Sequence, residues 1–129
     1  MKKLLVTGAS GFLGRRIAEF YQGKYEIYTP GHREMDITDR EKVSAVFHDF
    51  KPNFVIHSAA VSDVGMCEKD PEGSWRINVD GSRNIATASA ELHAKCIICS
   101  SDQIYFGSQI SGPHREDEEV NPLNVYGRE

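Results

Sequence analysis

Apolar and polar positions follow two different periods along this chain, and the two periods alternate. Short continuous apolar runs, which are typical of buried strands, predict strands at residues 4–6, 25–29, 53–57 and 95–100. Between these runs, apolar residues recur three or four positions apart, as they do on one face of a helix. Strands that alternate with helices form a parallel sheet with helices on both faces. We therefore predict an α/β fold with a doubly wound parallel sheet.

Three helices are predicted from the apolar spacing and from the residues that begin a helix. The apolar face of the first helix consists of Leu13, Ile17, Phe20 and Tyr21. The second helix begins with a capping box formed by Thr38 and Glu41. The third is a single long helix over residues 72–93, with Asp70 as its N-cap.

A glycine-rich turn joins the first predicted strand to the first predicted helix. Residues 7–14 read Thr-Gly-Ala-Ser-Gly-Phe-Leu-Gly. Gly8, Gly11 and Gly14 allow a tight turn, a close approach to a pyrophosphate, and close packing of the helix on the strand. The free N–H groups at the start of that helix favour a dianionic ligand. The sequence therefore predicts a Rossmann fold whose first turn binds a dinucleotide.

Composition and charge argue against several other classes of protein. The chain has 15 basic and 19 acidic residues, a formal net charge of -4, and no basic cluster. Nucleic acid is therefore not an expected partner. No apolar stretch has the length of a membrane span or the layout of a signal peptide, so we expect no membrane partner either.

The cysteines and one histidine are candidates for metal or redox chemistry, and we interpret them as structural. Three cysteines are an odd number, which suits reduced thiols and a cytoplasmic location. Cys96 and Cys99 lie three positions apart on a predicted strand and so on opposite faces, which predicts buried thiols and no metal site. His57 ends the third predicted strand, where we expect a hydrogen-bonded ring rather than a metal ligand.

Six short motifs lie in one order along the whole chain. They are residues 7–14, 36–39 (DITD), 55–60 (VIHSAA), 77–81 (INVDG), 100–102 (SSD) and 122–127 (PLNVYG). In these motifs the chain resembles the extended short-chain dehydrogenase/reductases, and among them the dTDP-4-dehydrorhamnose reductases. The resemblance implies an oxidoreductase with an NAD(P)-binding Rossmann domain. We expect residues 1–129 to be the N-terminal part of that domain, truncated after the fourth strand and the active-site loop, with the substrate domain absent.

The resemblance also implies which residues bind the dinucleotide. Backbone groups at Ser10, Phe12 and Leu13 would hold the pyrophosphate. Asp36 would accept a hydrogen bond from the adenine amine, and Ile37 would pack on the adenine ring; a turn residue without a ligand is the alternative reading of Asp36. Three residues after the third strand would line the ribose and the nicotinamide: Ala59, Ala60 and Val61.

The end of the second predicted strand bears on the form of the dinucleotide. NAD enzymes place an acidic residue there to bind the ribose 2′-OH. Residues 29–33 contain no carboxylate and include the basic pair His32 and Arg33, although Glu34 follows directly. An equally good interpretation of the basic pair is that both residues belong to a solvated loop. On balance we expect NADP(H) rather than NAD(H).

Two hydroxyl-bearing residues follow the fourth predicted strand. The resemblance implies that Ser101 holds the substrate carbonyl oxygen and that Tyr126 donates the proton and contacts the cofactor. A lysine that assists the tyrosine would stand four residues later, at position 130, so we expect residues 1–129 alone to be inactive. Asp102 is a further catalytic candidate, which would contact substrate together with Arg115; an ion pair that braces the loop is the alternative role.

The residue after Asp102 helps to separate the enzymes of this group. Sugar-nucleotide dehydratases carry an Asp-Glu pair here, and the amide of Gln103 cannot act as that base. The leading hypothesis is NADP(H)-dependent reduction of a nucleotide-linked 4-keto-6-deoxy sugar. The alternatives are an NAD-dependent sugar-nucleotide epimerase and a non-catalytic NADP-binding subunit like the regulatory subunit of methionine adenosyltransferase. Family members often dimerise, so a homodimer of the full-length protein is compatible with the resemblance.

Overall fold

A computed structural model describes all of residues 1–129 and places four parallel strands in one sheet. The strands are β1 (Lys3–Thr7), β2 (Glu26–Tyr28), β3 (Phe54–His57) and β4 (Lys95–Ile98). Their spatial order is β2-β1-β3-β4, and every neighbouring pair is parallel. The predicted α/β class with a parallel sheet is confirmed. Strands β2 and β4 are shorter than predicted, since β2 has three residues and β4 ends at Ile98.

Helices cover both faces of the sheet. They are α1 (Phe12–Tyr21), α2 (Arg40–Phe50), α3 (Val64–Lys69), α4 (Pro71–Trp75), α5 (Gly81–Glu91) and α6 (Val125–Arg128). Right-handed crossovers place α1 on one face and α2 and α5 on the other, because the chain moves in opposite directions across the sheet. The core lies under α2 and α5, where Leu5 and Val55 of the sheet pack with Val43, Phe47 and Ile85. No helix combines the length and the apolar character needed to cross a membrane.

The prediction of one continuous helix over residues 72–93 is wrong. The segment begins at α4, passes through a π-helical turn at Arg76–Asp80, and continues as α5. In this turn the Gly81 N–H donates to the Arg76 carbonyl, five residues earlier. The Ser82 hydroxyl also donates to the Asn78 carbonyl, with an O···O distance of 2.6 Å. A side chain that competes for a helix carbonyl disturbs the regular ladder, which apolar spacing alone does not report.

The start of α2 also differs from the predicted capping box. The Thr38 hydroxyl donates to Asp36 Oδ1 at 2.7 Å, so it does not cap the helix. Asp39 is the N-cap instead, because its carboxylate accepts from the Lys42 N–H at 3.0 Å. The predicted N-cap of α4 is confirmed, with Asp70 accepting from the Gly73 N–H.

The predicted apolar face of α1 is mostly uncovered. Leu13 is 51% exposed and Phe20 is 63% exposed, whereas Gly14 is the buried residue of this helix. Gly14 packs closely on the glycine turn, with the Gly8 carbonyl oxygen as its nearest neighbour. Apolar side chains at helical spacing correctly predicted α1 but not the depth of its burial.

The cysteines only partly match their predicted burial. Cys67 is buried, Cys96 is half-buried and Cys99 is exposed, and all three are free thiols. The prediction is wrong for Cys99, which follows the edge strand β4, where Ile97 and Ile98 are themselves exposed. Burial raises the pKa of the Cys67 and Cys96 thiols, which disfavours their reactive thiolate forms. No group of three or more His, Cys, Asp or Glu side chains is placed to hold a metal ion.

Candidate functional site

Two adjoining clefts lie along the carboxyl edge of the sheet, where ligands bind in open α/β folds. The larger has a volume of about 780 Å³ and lies between the glycine turn, the loop after β2 and the start of the α4 segment. The smaller has a volume of about 430 Å³ and lies between β3, β4 and α6. Ala59 lines both, so the two clefts meet at this residue. Both volumes are within the range of small-molecule sites.

Two positions of the glycine turn, Gly8 and Gly14, have no room for a side chain. Gly8 has a φ of +72°, and a Cβ placed there would lie 2.7 Å from the Ala59 nitrogen. A Cβ on Gly14 would lie 2.3 Å from the Gly8 carbonyl oxygen. These contacts seat the start of α1 against the turn, and no side chain caps that helix. The first-turn N–H groups of α1 therefore stay open toward a ligand.

The predicted pyrophosphate residues divide into two groups. Gly8 and Ser10 line the larger cleft. Gly11, Phe12 and Leu13 are exposed and are not among its lining residues. Their predicted contribution is through backbone groups, and the N–H groups of Phe12 and Leu13 belong to the uncapped start of α1.

Asp36 and Ile37 both line the larger cleft. Asp36 Oδ1 accepts from the Thr38 hydroxyl at 2.7 Å and from the Thr38 N–H at 2.9 Å, and these bonds lower the pKa of the Asp36 carboxyl. Asp36 therefore does stabilise a turn, and its position in the cleft is compatible with a ligand role as well. Ile37 is held by a bond from the Asn84 amide to its carbonyl at 2.9 Å, and it packs where a Cβ on Gly81 would stand.

The two residues of the basic pair after β2 have different positions relative to the larger cleft. His32 lines the larger cleft, whereas Arg33 is exposed and is not among its lining residues. The Glu34 carboxylate accepts a hydrogen bond from the Gly31 N–H and also lies outside the lining. Arg76, which sequence reasoning did not identify, lines the cleft from the π-helical turn. The cleft therefore has two basic side chains at this end, His32 and Arg76.

The loop after β3 is fixed in place by a buried asparagine. Ala59 and Val61 line the larger cleft, and Ala60 lines the smaller one. Asn78 bonds to Val61 in both directions, because its Oδ1 accepts from the Val61 N–H at 2.8 Å and its Nδ2 donates to the Val61 carbonyl at 2.9 Å. Asn78 Nδ2 also donates to Glu129 Oε2 at 2.6 Å. Asn78 was missed as a site residue, although the motif at residues 77–81 contains it.

His57 is the centre of a hydrogen-bond chain behind this loop. The Thr7 hydroxyl oxygen accepts from the N–H groups of Ser58 and Ala59, so its own hydrogen points to His57 Nδ1 at 2.6 Å. The Ser82 hydroxyl donates to Asn78, so it accepts from His57 Nε2 at 3.1 Å. These directions assign the neutral Nε2–H tautomer. The predicted structural role of His57 is confirmed.

His57 should make the stability of the folded protein depend on pH. Burial lowers the pKa of His57 from 6.5 to about 4. Between these values the unfolded chain binds the proton and the folded chain does not, so stability falls as pH falls. At 1.36 kcal/mol per pKa unit, the free energy of unfolding should drop by roughly 3 kcal/mol from pH 6.5 to pH 4.

Urea unfolding at several pH values checks this prediction. In a His57→Gln variant, which cannot titrate, the slope of unfolding free energy against pH should flatten between pH 6.5 and 4. Equal slopes in the two proteins would show that His57 does not carry the effect. Ring NMR signals of His57 that titrate near pH 6.5 in the folded protein would contradict it directly.

The structure brings two of the three predicted catalytic residues together. Ser101, just after β4, and Tyr126, in the first turn of α6, both line the smaller cleft. Asp102 is exposed and lines a different, third cleft of about 340 Å³ together with Gln103 and Tyr105. Asp102 is therefore not in the same cleft as the other two. Arg115, named with it as a substrate contact, pairs with Asp117 at 3.2 Å, and both side chains are exposed.

Comparison with known proteins supplies the family. The family model described as "RmlD substrate binding domain" matches residues 1–129. The dTDP-4-dehydrorhamnose reductase of Aggregatibacter actinomycetemcomitans is 34% identical over 130 residues, which are 99% of this chain and 44% of the relative. Methionine adenosyltransferase 2 subunit beta of Bos taurus is 33% identical over 98% of this chain and 40% of the relative. The chain thus spans less than half the length of these curated relatives.

Solved structures agree with this assignment. The dTDP-4-dehydrorhamnose reductase of Bacillus anthracis, solved in complex with NADP, has a TM-score of 0.92 and 34% identity, over 99% of this chain and 46% of that one. The UDP-glucose 4-epimerase of Brucella ovis, solved with NAD, has a TM-score of 0.86 and 31% identity, over 99% of this chain and 44% of that one. The Rossmann-like fold and the resemblance to dTDP-4-dehydrorhamnose reductases are confirmed. The chain belongs to the family of the RmlD substrate binding domain.

Proposed function

We propose that these residues belong to an NADP(H)-dependent reductase of a nucleotide-linked 4-keto-6-deoxy sugar, of the dTDP-4-dehydrorhamnose reductase kind. The observation that carries the proposal is the position of Ser101 and Tyr126. Both side chains face a cleft that adjoins the larger cleft at Ala59. A dinucleotide in the larger cleft would extend past Ala59 and place its nicotinamide beside the two hydroxyl groups.

The residues of the larger cleft fit a dinucleotide. The space that a Cβ on Gly8 or Gly14 would fill is taken by backbone, which lets the turn stay tight beneath a pyrophosphate. The uncapped start of α1 offers N–H groups to the phosphate oxygens. The ionised Asp36 carboxylate is a hydrogen-bond acceptor at the far end of the cleft, where an adenine amine would donate to it.

The hydroxyl groups of the smaller cleft have separate tasks. The Ser101 oxygen accepts from the Gln103 N–H at 3.2 Å, so its hydrogen is directed elsewhere. The other contact of this hydroxyl, to Asp102 Oδ1, is long at 3.5 Å, which leaves the hydrogen available to a substrate carbonyl oxygen. When bound, the dinucleotide supplies the hydride that reduces the carbonyl carbon. Tyr126 donates its phenolic proton to the carbonyl oxygen, which becomes the hydroxyl of the product.

The cofactor preference depends on the basic end of the larger cleft. His32 and Arg76 line this end, and the Glu34 carboxylate is directed to the Gly31 N–H. We expect NADPH to bind more tightly than NADH, because charge-assisted bonds to a 2′-phosphate are worth about 1.5–3 kcal/mol, or roughly 10- to 100-fold in Kd. Titration of the full-length protein with each cofactor, followed by fluorescence, measures the ratio.

Variants identify the source of this preference. His32→Ala should lower the NADPH-to-NADH affinity ratio, and Lys24→Ala, at the opposite edge of the sheet, should leave it unchanged. Tighter binding of NADH than of NADPH by the wild-type protein would overturn the NADP(H) assignment. In that case the NAD-dependent epimerase becomes the better hypothesis, with NAD that co-purifies with the protein as its signature.

A reductase assay tests the function itself. The full-length protein is mixed with NADPH and dTDP-4-dehydrorhamnose, and the loss of NADPH absorbance is followed together with the sugar product by mass spectrometry. Turnover with a product two mass units heavier than the substrate is the expected result. An absence of turnover at saturating cofactor and substrate would overturn the proposal.

A non-catalytic subunit is the second candidate, because a curated relative at 33% identity is methionine adenosyltransferase 2 subunit beta. Such a protein would bind NADP in the larger cleft without reducing a sugar. Measurable NADPH binding combined with no turnover on dTDP-4-dehydrorhamnose would favour this second candidate over the reductase.

A further inference from the structure

We infer that Gln103 is a positioning residue that holds the Tyr126 helix in a fixed place relative to Ser101. The inference rests on the proposed function, since it assigns the two hydroxyl groups to one reaction. Gln103 lies between them in the fold: its backbone contacts Ser101 and its side chain contacts the segment that carries Tyr126.

The backbone of Gln103 fixes the orientation of Ser101. Ser101 is the N-cap of a 3₁₀ turn at Asp102–Tyr105, and its oxygen accepts from the Gln103 N–H at 3.2 Å. This bond occupies a lone pair of the serine oxygen and selects one side-chain rotamer. The serine hydrogen is then free to point into the smaller cleft.

The side chain of Gln103 reaches the start of α6 through Asn124. Gln103 Oε1 accepts from Asn124 Nδ2 at 2.9 Å, and Asn124 Oδ1 accepts from the Gly127 N–H at 2.7 Å. Asn124 is therefore the N-cap of the helix that carries Tyr126. One glutamine amide thus orients the cap, and the cap orients the helix.

The start of α6 is held by packing as well as by its cap. It packs closely on the 3₁₀ turn, since a Cβ on Gly127 would lie 2.9 Å from the Gln103 carbonyl oxygen. A second anchor is Glu68, whose Oε1 accepts from the Val125 N–H at 2.9 Å. Gln103 joins the helix to the serine, whereas Glu68 joins it only to α3.

The chemistry of residue 103 gives a way to separate this role from a general packing role. Gln103→Leu keeps the size of the side chain and removes the acceptor for Asn124. Gln103→Glu keeps an acceptor at the same place. Gln109→Leu makes the matched change at an exposed glutamine in the following loop.

Steady-state kinetics of the full-length protein with NADPH and dTDP-4-dehydrorhamnose test the inference. Gln103→Leu should lower kcat about 10- to 100-fold, because a misplacement of about 1 Å has effects of this size. The Kd for NADPH and the melting temperature should stay close to those of the wild type. Gln103→Glu should restore most of kcat, and Gln109→Leu should have no effect. Asn124→Leu should lose activity as Gln103→Leu does, and the double variant should lose no more than either.

Amide hydrogen exchange gives a readout that does not need turnover. The Gly127 amide should exchange at least about tenfold faster in Gln103→Leu than in the wild type, and near the wild-type rate in Gln103→Glu. Unchanged kcat and unchanged exchange in Gln103→Leu would overturn the inference. A wild-type protein without turnover would overturn the proposed function, while the exchange rate would still show whether Gln103 holds α6.

Discussion

Tyr126→Phe should lower kcat for sugar reduction by about 10²- to 10⁴-fold, the range typical of the loss of a general acid. The change removes one oxygen from a half-buried side chain in the smaller cleft and leaves the ring that packs there. No hydrogen bond within the protein is made by the Tyr126 hydroxyl, so the fold loses no contact. The rate loss should therefore be in the chemical step, and single-turnover kinetics with bound NADPH would measure it.

A matched change elsewhere separates this effect from general damage. Tyr25→Phe alters a tyrosine at the opposite edge of the sheet, where its ring packs edge-on against Phe54 at 5.7 Å between ring centres. This variant should keep the wild-type kcat, and both variants should keep the wild-type Kd for NADPH. If Tyr126→Phe retains more than about a tenth of the wild-type kcat, Tyr126 is not the general acid.

The sheet and its glycine turn were predictable because their causes are local in the sequence. A continuous apolar run such as residues 4–6 is typical of a buried strand. In the sheet, β1 indeed has a parallel strand on each side, β2 and β3. The closest contact at Gly14 lies within the same short turn, at the Gly8 carbonyl oxygen. The close contact at Gly8 is with Ala59, after β3, so only the need for a tight turn was predictable there from local sequence.

The helix boundaries were less predictable because a polar side chain can bond to several alternative partners near it in the chain. Thr38 has the right position for a capping box, yet its hydroxyl bonds to Asp36, two residues earlier. Ser82 similarly takes the Asn78 carbonyl, and the helix is π-helical beside it. Apolar spacing reports which face is buried and carries no information on these choices.

The site residues also differ in whether the sequence alone could predict them. Ser101 and Tyr126 were identified from motifs and do share a cleft, whereas Arg76 and Asn78 were missed. Arg76 lines the larger cleft from the π-helical turn, which apolar spacing did not indicate. Asp102 was also named from a motif, at residues 100–102, yet it lies in a 3₁₀ turn and lines a different cleft.

Gly14→Ala is the second change with a large expected effect, and it acts on the fold and on cofactor binding together. The new Cβ would lie 2.3 Å from the Gly8 carbonyl oxygen, so either α1 or the turn must move. Overpacking of this kind costs about 1–3 kcal/mol of unfolding free energy. The turn is also the proposed pyrophosphate site, and a similar loss of binding energy raises the Kd for NADPH by up to about 100-fold.

The two consequences can be measured apart. Urea unfolding gives the stability loss, and calorimetric titration with NADPH under conditions where the variant is folded gives the affinity. Gly65→Ala is the matched control, because the nearest atom to its new Cβ is the movable Asp63 Oδ1 at 3.2 Å, and it should change neither quantity by more than about 1 kcal/mol. If Gly14→Ala lowers stability but binds NADPH as the wild type does, the turn has only a structural role and the phosphate site lies elsewhere. If it changes neither, the close contact at Gly8 does not constrain α1, and the structural basis for the dinucleotide cleft is lost.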